Sequence, residues 1–166
     1  MLRGVINAHK ERQALILTGF LADQLALSIQ ALLVAEPDVW RSSKIILVPV
    51  PSAARTVRQR GFDATASMAR VAARRLAGRY RITVLSVLTQ ARSVADQAGL
   101  DARARHENLS GAFRLRKPIV PGAAAVVVDD LVTTGSSLTE AARVLRQARI
   151  PVVGAATVAA TVRRHA

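Results

Sequence analysis

The amino-acid sequence predicts a single α/β domain: a mostly parallel central sheet with helices on both faces. Three observations carry this. The runs KIILVPVP (44–51) and AAAVVV (123–128) are apolar without alternation, as strands buried on both faces require. Stretches of helical periodicity fall between the apolar runs, which is the order of a βαβ chain. The chain has 166 residues, 51% of them apolar, enough for one full core. No linker, repeat or low-complexity tract divides it, so residues 1–166 are taken as one domain.

The elements follow in order. Leu17, Leu21, Leu25, Ile29 and Leu32 recur at helical spacing and predict a helix over 12–35, ending near Pro37. Residues 14–35 carry one charge, Asp23, so a membrane span must be weighed. A mid-span Asp costs roughly 3 kcal/mol, and Gln24, Ser28 and Gln30 add polarity. A core helix is therefore expected, and no membrane partner. A signal peptide is the competing reading, because Arg3, Lys10 and Arg12 precede the apolar run.

Residues 44–51 form a buried strand stopped by Pro49 and Pro51. SAARTVRQRG (52–61) reads as a basic loop. Residues 62–79 read as a helix, with Met68, Val71 and Leu76 on its packing face and Gly78 near its end. A strand follows over 82–88. The polar, charged stretch 89–111 is weakly periodic and long for a plain connection, which marks it as functional or mobile. A strand over 123–128, a helix over 137–148 and a last strand over 151–162 complete the domain.

Composition narrows the chemistry. Lys plus Arg number 24 against 11 acids, a net charge of +13. A polyanionic partner or ligand accounts for that surplus, and so does an arginine-rich composition without functional meaning. Cysteine is absent. That excludes disulfides, thiolate metal sites and cysteine nucleophiles, and fits a reducing cytoplasm. His9, His106 and His165 lack metal-ligand spacing and read as surface residues. Trp40 and Tyr80 sit near element ends and read as structural.

The chemistry concentrates in VVVDDLVTTGSSL (126–138). Asp129 and Asp130 stand where the strand is expected to become loop, pointing to opposite sides of the pleat. Thr133, Thr134, Gly135, Ser136 and Ser137 then lead into a helix beginning near Ser137. Free N–H groups at a helix start, hydroxyl donors and a glycine that lets backbone approach make a phosphate cradle without a lysine. Acids for sugar hydroxyls, followed by a nest for a phosphate, describe a ribose 5-phosphate site. A capping box of Ser137 and Glu140 is the bland alternative. It leaves the two acids and both threonines unexplained. A Walker A loop is excluded, for it needs Gly-Lys-Ser/Thr.

AVVVDDLVTTGSSL resembles the signature of type I phosphoribosyltransferases, with Ser137 where many members carry Thr. VPVPSAARTVRQRGFD (48–63) is similar to the strand and loop of the ComF family of phosphoribosyltransferase-like competence proteins, with Asp63 in place of that family's Asn. RSVADQAGLDARARHENLSGAF (92–113) resembles a further segment of the same family, and AHKER (8–12) a shorter one, where Gln13 replaces a glycine. The resemblance covers almost the whole chain. It lacks the four-cysteine zinc module that precedes this domain in many relatives, which reads either as a naturally short member or as a start inside a longer frame.

The resemblance implies a type I phosphoribosyltransferase fold, with residues 1–40 as a small N-terminal hood and 41–166 as the core. It implies that Asp129 and Asp130 bind the ribose hydroxyls of phosphoribosyl pyrophosphate, and that Thr133, Thr134, Gly135, Ser136 and Ser137 hold its 5-phosphate. Pyrophosphate would lie against Pro51, Ser52, Arg55, Arg58 and Arg60; arginine suits it, being permanently charged and multidentate. Arg92 and Arg105 would reach pyrophosphate from the 89–111 stretch and join Asp129 and Asp130 as catalytic residues, with Asn108 pinning the loop base. Magnesium is the implied cofactor, carried on ligand oxygens with no direct protein ligand. The reaction implied is displacement of pyrophosphate at ribose C1 by an acceptor that the sequence does not identify. Asn7, Lys10, Glu11 and Arg12 form no decisive pattern in the hood.

A binding protein without turnover is the second reading, with single-stranded DNA as a partner beside phosphoribosyl pyrophosphate. Arg70, Arg74, Arg75, Arg79 and Arg81 could make its basic stripe. Five aromatics offer almost no stacking platform, so a solvated helix face competes with that stripe. The wider family also admits a homodimer.

Overall fold

A computed structural model of the chain describes residues 4–6, 17–91, 109–119 and 121–160. The elements are α1 (Leu17–Ala35), α2 (Pro37–Ser42), β1 (Lys44–Pro49), α3 (Ala54–Arg60), α4 (Ala64–Leu76), β2 (Ile82–Val84), β3 (Leu88–Gln90), β4 (Phe113–Leu115), β5 (Ala123–Val132), α5 (Ser136–Gln147) and β6 (Val152–Ala160).

Four strands form one parallel sheet in the order β2-β1-β5-β6. β1 and β5 lie at its centre, and their register aligns Ile45 with Ala124 and Leu47 with Val126. Both are buried on two faces, which is why their sequences show no alternation. The alternation is present in the packing. Ile45, Leu47, Ala124, Val126 and Val128 belong to one core with Leu21, Leu25 and Ile29 of α1 and Met68 and Ala72 of α4. Ile46, Val48, Ala123, Ala125 and Val127 belong to the other, with Ala141, Val144 and Leu145 of α5. The period of two thus splits adjacent apolar residues between two cores.

α1 covers β6 closely. A Cβ on Gly154 would stand 2.9 Å from the Leu32 Cδ1, so the absent side chain sets that approach. Of the residues read as a hood, 17–35 lie within the sandwich itself, with Leu21, Leu25, Ile29 and Leu33 fully buried. α1 is long and apolar enough to cross a membrane by length and composition, but this buried face is used against the sheet. Phe20, Leu27 and Val34 are exposed on its outer side.

Several expectations are corrected. The stretch 52–61 is not a loop: residues 54–60 form α3, closed by Gly61 in the left-handed region at φ 75°. Its residues have good helix propensity, but none is buried, so no apolar periodicity announced it. The strand expected over 82–88 is two strands. β2 pairs with β1, whereas β3 leaves the sheet and pairs antiparallel with β4. β4 went unpredicted because three residues are too few for a pattern. α2 went unpredicted as well; Pro37 starts this helix at its first turn. β5 does not end at Val128 but continues through Val132. Pairing with β6, Asp129 opposite Thr157 and Leu131 opposite Ala159, carries the extended conformation past both acids.

Candidate functional site

The order β2-β1-β5-β6 reverses direction between β1 and β5. From β1 the chain builds outward to β2, and from β5 outward to β6. In such sheets the crevice beyond the carboxyl ends of the two central strands is the ligand position. Here that crevice lies between residues 50–52 after β1 and residues 129–132 of β5. The two rims stay in register to the end, since the Val50 N–H donates to the Val128 carbonyl at 2.9 Å.

Beyond β5 the chain turns through Thr133 and Thr134 and enters α5. Gly135 caps the helix at φ 79°, a left-handed conformation that glycine adopts without penalty. The first helical hydrogen bond runs from the Thr139 N–H to the Gly135 carbonyl at 2.9 Å. The hydroxyls of Thr134 and Ser136 lie 2.9 Å apart in a mutual hydrogen bond, and the Ser136 N–H donates to the Thr134 Oγ1 at 3.4 Å. The turn is thus held by its own side chains. Asp129, Thr133, Thr134, Gly135, Ser136 and Ser137 line one small concavity, open on one side. Amides of a first helical turn lack intrahelical acceptors and carry partial positive charge, so this wall suits an oxyanion.

The two acids part company. Asp129 is half-exposed and lines the concavity; its Oδ1 accepts the Asp130 N–H at 2.9 Å. Asp130 is 2% exposed and is not part of that wall. Adjacent strand positions point to opposite faces.

Arg55 and Arg58 are exposed on α3 and Arg60 is half-exposed at its end, with Pro51 and Ser52 half-exposed before it. None of these five lines the 133–138 concavity. Asp63 acts locally, where its carboxylate accepts the Ala66 N–H at 3.1 Å and caps α4. Arg92, Arg105 and Asn108 lie outside the described residues, as do His9, His106, His165, Asn7, Lys10, Glu11 and Arg12. Trp40 and Tyr80 meet edge-to-face at 5.0 Å.

Glu140 overturns the capping-box alternative. α5 begins at Ser136, and no side chain caps it. Glu140 is instead buried, 5% exposed. Arg143 donates to it twice, Nε to Oε2 at 2.6 Å and Nη2 to Oε1 at 2.7 Å. The Phe113 N–H donates to Oε1 at 3.4 Å. The Arg143 guanidinium holds the Glu140 carboxyl below its ordinary range; burial opposes this, and the amides of Phe113 and Gly111 add to it. Sequence reasoning missed this contact. The i,i+3 spacing of Glu140 and Arg143 was a visible signal, but the buried partner from β4 was not.

Among the described residues no group of three or more His, Cys, Asp or Glu side chains is arranged to hold a metal ion.

Residues 63–165 match the family described as the phosphoribosyl transferase domain. The match begins at the α4 cap and takes in β5, the 133–137 turn and β6. The chain is also similar to the DNA utilization protein YhgH of Salmonella typhimurium (strain LT2), 35% identical over 127 residues, covering 74% of this chain and 54% of the relative. It is 38% identical over 99 residues to the protein of the same name from Escherichia coli O6:H1, covering 60% of this chain and 42% of the relative. The chain therefore spans about half the length of these relatives.

Proposed function

The chain belongs to the phosphoribosyl transferase domain family, in its ComF-like branch, and from that premise we propose that it binds phosphoribosyl pyrophosphate and transfers the phosphoribosyl group. One observation carries the proposal: a carboxylate, Asp129, and a glycine-capped, hydroxyl-rich helix start share one concavity at the topological switch point. The 5-phosphate is taken by the 133–137 turn. Asp129 accepts hydrogen bonds from ribose hydroxyls. Asp130, buried behind it, shapes the strand end. Pro51, Ser52, Arg55, Arg58 and Arg60 stand on the opposite rim and its following helix, where pyrophosphate extends.

The acceptor attacks the anomeric carbon, the bond from that carbon to the pyrophosphate oxygen breaks, and pyrophosphate leaves with the electron pair. The charge to be stabilised is on the leaving group and on the developing oxocarbenium ion. Positioning and electrostatics carry such a step without a protein nucleophile. Magnesium carried on ligand oxygens would neutralise the leaving group. The residues present fit an ion so carried, because Asp129, half-exposed on the concavity, would hold the ribose hydroxyls and leave the ion to ligand oxygens.

Calorimetric titration with phosphoribosyl pyrophosphate and magnesium tests the proposal beside an Asp129→Asn/Asp130→Asn variant. Micromolar binding that is lost in the variant supports it and opens an acceptor screen. A folded wild type that does not bind refutes it.

A second reading, binding of single-stranded DNA, is favoured by a separate observation. An open groove of about 380 Å³ runs between α4 and the edge strand β2, lined by Arg70, Arg74 and Thr83 over an apolar floor. The sequence contains no acid from residue 64 to 95, and among the described residues neither arginine is in an ion pair. Replacing both with glutamine should weaken DNA binding and flatten its salt dependence. Unchanged binding would remove this groove from consideration.

A further inference from the structure

The Glu140 carboxylate is a buried ionised group outside the concavity, and it joins two parts of the fold. It projects from α5, one turn after the 133–137 turn. Its Oε1 accepts the Phe113 amide at 3.4 Å, and the neighbouring Gly111 amide adds a smaller stabilisation of the charged form. Those amides belong to the end of the β3–β4 ribbon at Gln90 and Phe113, where the connection between the two strands begins. The ribbon is closed there by the Ala91 N–H donating to the Ala112 carbonyl at 2.7 Å, and at its other end by the Arg116 N–H donating to the Val87 carbonyl at 2.6 Å. The ribbon also shares a core with the opposite rim of the crevice. Val50, the first residue after β1, shares one buried cluster with Val87, Leu88, Leu109 and Phe113. Glu140 is thus the polar link between the helix that starts at the cradle and the ribbon that supports the β1 rim.

The chemistry of the link is asymmetric. The guanidinium of Arg143 grips both carboxylate oxygens from the solvent side, where its own side chain is 41% exposed. That leaves acceptor capacity on Oε1 directed inward, to backbone N–H groups that have no side chain to vary. A carboxylate held by a bidentate guanidinium has one orientation. A buried acceptor cannot be withdrawn from the Phe113 amide without leaving that donor unsatisfied. Stabilising α5 alone would need neither the burial nor the amides, since an exposed i,i+3 pair serves that purpose.

We propose that Glu140 is a positioning residue, which sets the spacing between the 5-phosphate cradle at the head of α5 and the β1 rim by clamping the Phe113 end of the ribbon to α5. This rests on the phosphoribosyl pyrophosphate reading above. A ligand that occupies only the cradle does not need the clamp. A ligand that spans the crevice does.

The test uses the full chain with Glu140→Leu, Glu140→Gln and Arg143→Met. Amide hydrogen exchange and calorimetry are read together, with ribose 5-phosphate and phosphoribosyl pyrophosphate plus magnesium as probes. In Glu140→Leu the Gly111 and Phe113 amides exchange faster, while those of Ala141, Val144 and Leu145 keep their protection. Affinity for ribose 5-phosphate is unchanged, and affinity for phosphoribosyl pyrophosphate falls about tenfold, the net worth of one hydrogen bond. Glu140→Gln, which retains an acceptor oxygen, and Arg143→Met, which retains the carboxylate, shift the same two readouts less. These milder variants keep the test intact if the leucine variant does not fold. Unaltered exchange at Gly111 and Phe113 in all folded variants overturns the proposal. So does an equal loss of both ligands, which is the mark of general destabilisation. A wild type that binds neither ligand overturns the underlying reading, and its titration alone reveals that.

Discussion

Gly135→Ala separates the conformational from the functional content of the cradle. Gly135 sits at φ 79°, and a Cβ there would meet only the Val132 Cγ2, at 3.9 Å. That is ordinary van der Waals contact, so the cost of alanine is dihedral: about 1–2 kcal/mol for a side chain in the left-handed region. Gly61 supplies a matched comparison, with φ 75° and open space around its Cβ position. Both substitutions should therefore lower stability equally, read as a lower urea midpoint at unchanged slope. In a domain of this size that is about 2–4 °C of Tm for each kcal/mol. Ligand binding should part them. Gly135→Ala relaxes the turn that presents the α5 amides and weakens ribose 5-phosphate, whereas Gly61→Ala leaves its affinity intact. A Gly135→Ala variant as stable as wild type would refute the dihedral argument. One that binds ribose 5-phosphate at full strength would refute the role of the turn.

Other outcomes follow from single contacts. Asp63→Ala removes the carboxylate that caps α4 and should cost about 1 kcal/mol in urea denaturation, with Asp63→Asn close to neutral. Leu145→Ala empties a fully buried position on α5 and should cost about 2–5 kcal/mol, with a large loss of Tm. Arg75→Ala breaks a pair with Asp23 whose side chains are 59% and 52% exposed, and should change stability by less than about 1 kcal/mol. Glu140 predicts a pH dependence. Its folded pKa is depressed, so its contribution is fully present above the ordinary carboxylate value of 4.5 and is lost as pH falls through the lower folded value. The urea midpoints of wild type and Glu140→Gln should differ at neutral pH and converge in acid. A difference that persists unchanged into strong acid would sink that assignment.

Much of the site was legible because its signals are local. A run of valines ending in two acids, then threonines, a glycine and serines, states a strand, a turn and a helix start within thirteen residues. A helix start near Ser137 needed only backbone rules, although the cap is Gly135 and the helix begins at Ser136. The division of labour between Asp129 and Asp130 was half legible: the pleat says that they point apart, but not which one reaches the crevice. That follows from which helix covers which face. α3 was illegible for a different reason. An exposed seven-residue helix buries nothing, and periodicity reports burial.

The residues themselves determined the α/β class, the central strands, the helix that follows Asp63, and a helix start close to Ser137. Each of these is set by neighbours a few positions away in the chain. Only the tertiary structure decided that the 82–88 stretch divides between two sheets, that β5 runs on past its acids, and that Glu140 turns inward to the amide of Phe113. Those outcomes depend on partners brought from distant parts of the chain: β1 beside β2, β6 beside β5, and β4 against α5. A strand persists while a neighbour accepts its hydrogen bonds, and a carboxylate is buried where donors wait for it. Neither condition is written in the local sequence.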